Sequence, residues 1–287
     1  MCGIIGFTGR KPAKDILIDG LERLEYRGYD SAGIALLNDD DTLTIRKKAG
    51  RVSELRELCK DGDYSSTCGI GHTRWATHGG VTDANAHPHR CGNVALIHNG
   101  IIENYSDIIR EYGLADKLVS ETDSEVVAAL LDTLYDGDPI AAIRKAVKII
   151  AGSFALCIMF ADRPGIIYAV RNVSPMVAAH SEEGSIIASD LTAIISFSKD
   201  YFVVPEYHIL TMTQEGIRVE DLKGNEVKPQ MLEITWDITA AQKGGFPHFM
   251  LKEIYEQPES LRNTITPRIV NSLPDFTEDG IDDEVFK

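Results

Sequence analysis

The second residue of the chain, Cys2, is a candidate nucleophile with a base on the same residue. A thiol has an ordinary pKa of about 8.5, and an α-amino group has one of about 7.7 to 8.0. If Met1 is removed, the free amine of Cys2 can accept the thiol's proton directly or through one water, as the amine of an N-terminal threonine nucleophile does. Taken alone, one cysteine near a terminus is explained as well by a small buried residue behind a retained Met1.

A second candidate site is the dipeptide Asn99-Gly100, which follows an apolar stretch. We expect a strand from Val94 to His98 that ends at these two residues. The side-chain amide of Asn99 and the N–H of Gly100 could then converge on one oxygen, as the stabilisation of a tetrahedral oxyanion requires. Asn-Gly is also the usual sequence of a type I′ hairpin turn, so the dipeptide alone leaves both interpretations open.

Histidines are concentrated between residues 69 and 105, where five of the eight in the chain occur: His72, His78, His87, His89 and His98. Zinc sites use local ligand spacings such as HExxH, or CxxC paired with HxxxH, and neither is present. We therefore expect no metal and no cofactor. In the same stretch, the guanidinium of Arg74 suits a carboxylate and Trp75 could cover a small ligand; the alternatives are a surface ion pair and a core aromatic.

Composition and charge restrict the class of protein. The 287 residues, 44% hydrophobic and 25% charged, suffice for one large or two ordinary domains with a substantial core. The net charge of −15 argues against a nucleic-acid partner, because phosphates attract clustered Lys and Arg. There is no signal peptide and no apolar stretch of about eighteen residues. We therefore expect a cytoplasmic protein with no membrane partner, whose five widely spaced cysteines are reduced.

The elements that would position the candidate residues follow from local patterns. The apolar run that ends at Phe7 indicates a buried strand at the start of the chain. Pro12 can open a helix, which leads into the polar, glycine-rich loop Tyr26–Gly33. In that loop, Arg27 and Asp30 either form a local ion pair or help to shape a site.

Thr122 and Glu125 match a capping box, which places Asp123 in the first turn of a helix. A carboxylate is favoured there by the helix dipole, so a structural role is sufficient for Asp123. Strands both before and after two helices suggest stacked sheets with helices outside. The other predicted elements are a hairpin (34–37 and 42–46), a short helix capped by Ser53 with Leu55 and Leu58 inward, a helix from Pro139 to Ile150, strands at 154–160, 166–171, 176–179 and 186–189, a β-rich series from Phe202 to Val219, and a helical stretch from Leu261 to Ile265 beginning after Pro258.

Together these stretches resemble the glutaminase domain of the glutamine:fructose-6-phosphate amidotransferase family. An opening Cys-Gly-Ile alone would fit every class II amidotransferase, whereas the Tyr-Arg-Gly-Tyr-Asp-Ser-Ala-Gly segment is similar to the hexosamine enzymes in particular. The resemblance spans residues 2 to about 270. The matching segments are Cys2-Gly3-Ile4-Ile5-Gly6, Tyr26–Gly33, His72–Gly79, Asn85–His89, His98–Asn104, Ser120–Asp123 and Lys252–Pro258.

The resemblance implies an α+β, N-terminal-nucleophile hydrolase fold, a four-layer αββα sandwich of two antiparallel sheets between helices. It implies that Cys2 attacks the side-chain amide of L-glutamine with its own amine as base, while Asn99 and the N–H of Gly100 form the oxyanion hole. The remaining implied roles concern substrate binding: Arg74 for the α-carboxylate, Asp123 for the α-ammonium, Trp75, Thr77 and His78 in a closing loop, and Arg27 and His87 in shaping the pocket.

By the same resemblance, residues 2–240 form the glutaminase domain and residues 241–287 a linker or tail. In the whole family enzyme, ammonia passes to a sugar-phosphate isomerase module that binds fructose 6-phosphate and makes glucosamine 6-phosphate, and the enzyme is a homodimer. We expect this chain to be the amino-terminal domain, limited to the glutaminase half-reaction.

Other interpretations remain open at the level of sequence. A class II amidotransferase could deliver ammonia to a different acceptor. A self-processing hydrolase of the same fold would need a propeptide before Cys2, where only Met1 is present. The chain could also be a catalytically inactive module that senses a ligand or binds a metal.

Overall fold

The computed structural model describes residues 2–38, 40–62, 64–77, 79–235, 245–246, 248–270 and 273–281. The chain divides into two units, Met1–Thr235 and Trp236–Lys287. The helices of the larger unit are α1 (Ala13–Leu24), α2 (Val52–Leu58), α3 (Tyr105–Tyr112), α4 (Asp123–Leu134), α5 (Pro139–Ile149) and α6 (Leu191–Ile194). Its strands are β1 (Gly3–Gly9), β2 (Ser31–Leu37), β3 (Leu43–Ala49), β4 (Cys68–Arg74), β5 (His89–Cys91), β6 (Val94–Ile102), β7 (Gly152–Phe160), β8 (Ile167–Asn172), β9 (Val177–Ser181), β10 (Gly184–Ala188), β11 (Asp200–Val203), β12 (His208–Thr213), β13 (Gly216–Asp221) and β14 (Leu232–Glu233).

The strands of the larger unit form two antiparallel sheets. One sheet has the order β14-β11-β9-β10-β1-β4-β2-β3, and the other has the order β13-β12-β8-β7-β6-β5. The strand that follows Cys2 is therefore interior, paired with β10 on one side and β4 on the other. In the second sheet, β6 lies between β7, which pairs along its whole length, and β5, which pairs only with Val94–Leu96.

Alternation along the strands divides the core into three layers. In β1, Ile4 packs between the two sheets, whereas Ile5 and Phe7 pack against α1. In β6, Ala95 and Ile97 face the other sheet, and Val94 and Leu96 face the helices α4 and α5. Successive strand residues point to opposite faces, so both faces of each sheet are covered. The predicted four-layer αββα sandwich is confirmed.

Most predicted elements are present, but the short helix α2 differs in detail. It begins at Val52 after Arg51, two residues earlier than a cap at Ser53 would place it. Its buried face runs through Val52, Leu55 and Cys59, and Leu58 is 42% exposed. The prediction that Leu58 faces inward was wrong because a hydrophobic residue at the border of such a face can remain in solvent.

The smaller unit contains helix α7 (Phe249–Ile265) and a two-stranded hairpin of β15 (Ile269–Val270) and β16 (Leu273–Pro274). We predicted a helix starting after Pro258, but α7 runs through this proline. A proline inside a helix loses its own backbone hydrogen bond and crowds the carbonyl one turn earlier, but the Glu, Gln, Leu and Arg residues around it are good helix formers.

No helix within the described ranges is both long and apolar enough to cross a lipid bilayer.

Close packing at Gly33 in β2 gives a first prediction. A Cβ added there would lie 2.2 Å from the His87 carbonyl oxygen and 2.6 Å from Lys47 Cβ, whereas one added at Gly216 would meet nothing within 4 Å. We expect Gly33→Ala to lower the free energy of unfolding by about 1 to 3 kcal/mol, the usual cost of overpacking, measured by urea denaturation. Gly216→Ala is the matched control and should change it far less. Equal effects would contradict the close packing at Gly33.

Candidate active site

A pocket of about 440 Å³ lies where β1 begins and β4 ends. These two points coincide because β1 and β4 are antiparallel neighbours, with Gly3 opposite Thr73. Nine of the ten residues predicted from the sequence line this pocket, namely Cys2, Arg27, Arg74, Trp75, Thr77, His87, Asn99, Gly100 and Asp123. The tenth, His78, lies outside the described residues, as does Met1.

The thiol of Cys2 lies directly before the start of β1. Its Sγ accepts a hydrogen bond from the Trp75 N–H at 3.1 Å. Burial raises the pKa of this thiol, the Trp75 N–H and the positive charge of Arg74 act in the opposite direction, and Asp30 raises it further. Since burial has the largest effect, the group is a protonated thiol near neutral pH and needs a base in order to act as a nucleophile.

The dipeptide Asn99-Gly100 lies inside a strand, so the expectation that a strand ends there was wrong. β6 continues to Ile102, with Asn99 opposite Ala155 and Gly100 opposite Phe154 of β7. The tendency of Asn-Gly to form a hairpin turn is overridden here by the pairing of β6 with β7. Gly100 has φ of +136°, and a Cβ on it would lie 2.0 Å from the Ser153 carbonyl oxygen. Only glycine fits this backbone position.

Asn99 contacts Cys2 directly. Its Nδ2 donates to the Cys2 carbonyl oxygen at 3.0 Å, and its Oδ1 lies 3.0 Å from His72 Nε2. The side chain is 7% exposed. The amide nitrogen thus faces the pocket beside Cys2, where a hydrogen-bond donor is available to a ligand oxygen.

Beyond Leu96, no strand among the described residues covers the β5 side of β6, and side chains pair with the backbone there instead. The His98 N–H donates to His87 Nδ1 at 3.3 Å, and the His98 carbonyl oxygen accepts from His72 Nε2 at 3.0 Å. The Ile102 N–H donates to Asp123 Oδ2 at 2.7 Å. In an antiparallel strand every second residue directs its N–H to the same side, so Gly100, between these two, is expected to direct its N–H to this edge.

Four histidines behind this edge are buried and neutral. The rings of His72 and His87 are stacked, with centroids 4.1 Å apart, and His89 meets His87 edge-on at 4.5 Å. Burial lowers the pKa of His72 to about 3, and it also lowers the pKa values of His87, His89 and His98. The cluster supplies directional hydrogen bonds without adding charge to the site.

Arg74 and Asp123 bring opposite charges to the pocket. Arg74 ends β4, is 4% exposed, and donates from Nη1 to the Gly80 carbonyl oxygen at 3.0 Å. Asp30 Oδ1 lies 4.0 Å from the same nitrogen. Asp123 is 5% exposed at the first position of α4. The two residues could therefore hold the carboxylate and the ammonium of one zwitterionic ligand.

The predicted capping box is present in part. Thr122 Oγ1 accepts from the Glu125 N–H, as predicted. The Glu125 carboxylate, however, accepts from the N–H groups of Val119 and Ser120 rather than closing back on Thr122. The loop before α4 places these two N–H groups within hydrogen-bond distance of the Glu125 carboxylate. Asp123, the first residue of α4, accepts a hydrogen bond from the Ile102 N–H.

The described loop residues around the pocket opening form neither the core aromatic nor the local ion pair that their sequence would allow. Trp75 is 55% exposed rather than a core aromatic, and its ring lies against Gly28. Arg27 donates to the Ser189 carbonyl oxygen at 3.0 Å and lies 3.3 Å from Asp190 Oδ2. Asp30 accepts from the Ala76 N–H. These partners of Arg27 and Asp30 are remote in sequence, although Asp30 also accepts from the neighbouring Ser31 hydroxyl at 2.9 Å.

Several residues in or behind the pocket were not predicted from the sequence, among them His72, Ser174 and Pro175. His72 lies directly behind Asn99, and its position on β4 two residues before Arg74 puts both side chains on one face, which the period of two could have indicated. Ser174 and Pro175 line the pocket from the loop after β8, and no local pattern marks them.

Within the part of the chain that the structure describes, no group of three or more His, Cys, Asp or Glu residues is arranged to hold a metal ion. All five cysteines are free thiols.

Comparisons with known proteins agree with this geometry. Residues 72–196 match the family described as glutamine amidotransferase domain. The chain is 43% identical over 279 residues to the glutamine–fructose-6-phosphate aminotransferase (isomerizing) of Clostridium acetobutylicum, covering 96% of this chain and 45% of that protein. It is 44% identical over 272 residues to the protein of the same name from Thermus thermophilus, covering 94% and 45%. The chain spans about half the length of these relatives.

Among solved structures, the chain is similar to a glutamine phosphoribosylpyrophosphate amidotransferase from B. subtilis complexed with ADP and GMP. The TM-score is 0.67 at 24% sequence identity, and the match covers 78% of this chain and 50% of that one. At this level of identity the likeness shows the shared fold alone.

The buried thiol gives a second prediction. Because burial raises its pKa, alkylation of Cys2 by iodoacetamide in the chain that retains Met1 should accelerate with pH, with a midpoint above the ordinary thiol value of about 8.5. Peptide mapping by mass spectrometry resolves Cys2 from the other four cysteines. The same chain unfolded in urea is the control and should show the ordinary midpoint; a folded midpoint below it would contradict the geometry.

Proposed function

Since this chain belongs to the glutamine amidotransferases and is homologous to glutamine–fructose-6-phosphate aminotransferases over almost its whole length, we propose that it hydrolyses the side-chain amide of L-glutamine to glutamate and ammonia. The observation that carries this proposal is the convergence of a thiol, a side-chain amide donor and two opposite charges in one pocket, from Cys2, Asn99, Arg74 and Asp123.

Glutamine carries an α-carboxylate, an α-ammonium and a neutral amide, and each has a counterpart in the pocket. Arg74 would bind the α-carboxylate through its planar guanidinium, and Asp123 would bind the α-ammonium. With both ends held, the side-chain amide would extend toward Cys2. Fixed orientation of this kind removes much of the entropic part of the barrier.

The reaction would proceed through two tetrahedral intermediates. The Cys2 thiolate attacks the amide carbon, and the carbonyl π electrons move onto oxygen, which Asn99 Nδ2 and the N–H of Gly100 stabilise. The oxyanion then collapses and expels ammonia, which takes up a proton as it leaves. Water attacks the resulting γ-glutamyl thioester and regenerates the thiol with release of glutamate.

A base is required because the buried thiol is protonated near neutral pH. We assign this role to the α-amine of Cys2 itself, which exists only once Met1 has been removed. An amide nitrogen at residue 2 could not accept the proton, so processing of the amino end would switch the site on.

The remaining residues would enclose the substrate. Trp75, Thr77 and His78 belong to the segment proposed to close over glutamine, and Arg27 and His87 would shape the pocket wall. Two hydrogen bonds hold this segment near its ends: the Ala76 N–H donates to Asp30, and the Gly80 carbonyl oxygen accepts from Arg74. They support the proposal that the residues between them contact the ligand.

At the level of the whole protein, we propose that ammonia serves the conversion of fructose 6-phosphate to glucosamine 6-phosphate in hexosamine biosynthesis. Residues 2–240 would be the glutaminase domain, and residues 241–287 would lead toward a sugar-phosphate isomerase module. We also propose a cytoplasmic homodimer. The relatives' shared name supports this assignment, and the matched region, about 45% of their length, is consistent with one module of a larger enzyme.

A third prediction concerns the amino end. A chain from which Met1 has been removed should release glutamate from glutamine, whereas a chain that keeps a residue before Cys2 should not, because it lacks the base. Intact-mass measurement identifies each form, and a coupled glutamate assay gives the rate. In the processed form, Cys2→Ala should abolish turnover while glutamine still binds in calorimetry. Full activity in a chain shown to retain Met1 would refute the assigned base.

A fourth prediction concerns the oxyanion. Asn99→Ala should lower kcat by roughly 10² to 10³, the usual loss for one oxyanion donor, with a much smaller effect on KM. Asn93→Ala is a matched control, because the Asn93 amide donates to Asp162 Oδ1 at 2.8 Å and does not line the pocket. An effect of Asn99→Ala confined to KM would mean that Asn99 acts in ground-state binding instead.

A further inference from the structure

The imidazole of His72 makes one hydrogen bond that fixes its protonation and a second that acts on Asn99. Its Nε2 lies 3.0 Å from the His98 carbonyl oxygen and 3.0 Å from Asn99 Oδ1. A backbone carbonyl oxygen can only accept a hydrogen bond, so Nε2 must carry the proton. The backbone of β6 therefore selects the tautomer of His72.

The selected tautomer in turn determines the orientation of the Asn99 amide. A half-turn about χ2 would exchange Oδ1 and Nδ2, placing an NH₂ group against the Nε2–H of His72. The same rotation would point Oδ1 at the Cys2 carbonyl oxygen, which now accepts from Nδ2 at 3.0 Å. Both contacts would become repulsive. Only one orientation satisfies His72 and Cys2 together, and it directs the amide N–H groups toward Cys2.

The ring of His72 is itself held firmly. It is 1% exposed, and it is stacked on His87 with an interplanar angle of 16°. His87 is fixed in turn by accepting the His98 N–H at Nδ1. Among the described residues, no hydrogen-bond partner competes for His72 at Nδ1. The donor that faces Asn99 is therefore locked in both position and protonation.

We propose that His72 is a positioning residue for the glutaminase reaction: by donating from Nε2 to Asn99 Oδ1 it holds the Asn99 amide in the orientation that stabilises the oxyanion. This rests on the proposed function. His72 does not line the pocket and acts on the substrate only through Asn99.

Kinetics of two substitutions test the proposal. His72→Leu keeps an apolar side chain of similar size but has no donor, so kcat should fall toward the roughly 10² to 10³ loss of Asn99→Ala, with KM changed far less. His72→Gln retains an N–H near the position of Nε2 and should restore most of kcat. If both variants lose activity equally, the donor is not what matters and the proposal fails.

A double-mutant cycle separates positioning from general structural support. If His72 acts through Asn99, His72→Leu should add little to Asn99→Ala, because the amide it orients is already gone. If the losses of kcat caused by His72→Leu and Asn99→Ala multiply in the double variant, the proposal is overturned. His89→Leu is the control: it removes another buried imidazole, whose Nε2 lies 3.0 Å from Thr122 Oγ1, and its effect should multiply with that of Asn99→Ala.

Two further readouts distinguish failure of this proposal from failure of the proposed function. Alkylation of Cys2 by iodoacetamide forms an S–C bond and releases iodide without an oxyanion, so His72→Leu should leave its rate unchanged; a parallel loss would indicate a damaged fold and overturn the proposal. Nitrogen-15 NMR of labelled histidine should find His72 protonated at Nε2. Protonation of His72 at Nδ1 would overturn the role proposed for His72 even in an active enzyme. A wild-type chain that does not hydrolyse glutamine would instead overturn the proposed function.

Discussion

The site depends on a mismatch in strand length: β6 extends well past the end of β5, and the extension is buried except at Gly100 and Ile101. Buried backbone N–H and C=O groups must be paired, so the uncovered edge demands partners that a strand would otherwise supply. His87, His72 and Asp123 meet that demand at His98 and Ile102. The position between them is Gly100, which lines the pocket. The requirement to satisfy a sheet edge thus assembles the same residues that would bind and activate a substrate.

Burial gives this assembly its electrostatic character. It holds the histidines neutral and the Cys2 thiol protonated, so the charged residues that line the pocket are Arg74, Asp123 and Arg27, the last beside Asp190. Arg74 and Asp123 together suit a ligand that carries one charge of each sign, as an amino acid does, better than a polyanion. Neutral imidazoles also orient their neighbours without repelling a developing positive charge on a leaving amine.

Local patterns were sufficient to predict those parts of the molecule that depend on local chemistry. The strand after Cys2, the β2–β3 hairpin and the Thr122 cap each follow from a few neighbouring residues. The strand through Asn99-Gly100 could not be predicted this way, because it depends on β7, more than fifty residues later. The bond from His72 to Asn99 likewise joins two sheets. Resemblance supplied the set of site residues, and only the fold revealed which of them support one another.

The interior position of β1 also has a consequence during synthesis. Its partners β4 and β10 lie about 65 and 180 residues further along the chain, so β1 leaves the ribosome before either partner strand. At about 5 to 20 residues per second, β10 emerges roughly 9 to 36 s after β1. Under the proposed function, Met1 would be removed in that interval, before both neighbouring strands have paired with β1. Slower translation would then leave more time for the α-amine of Cys2 to be exposed.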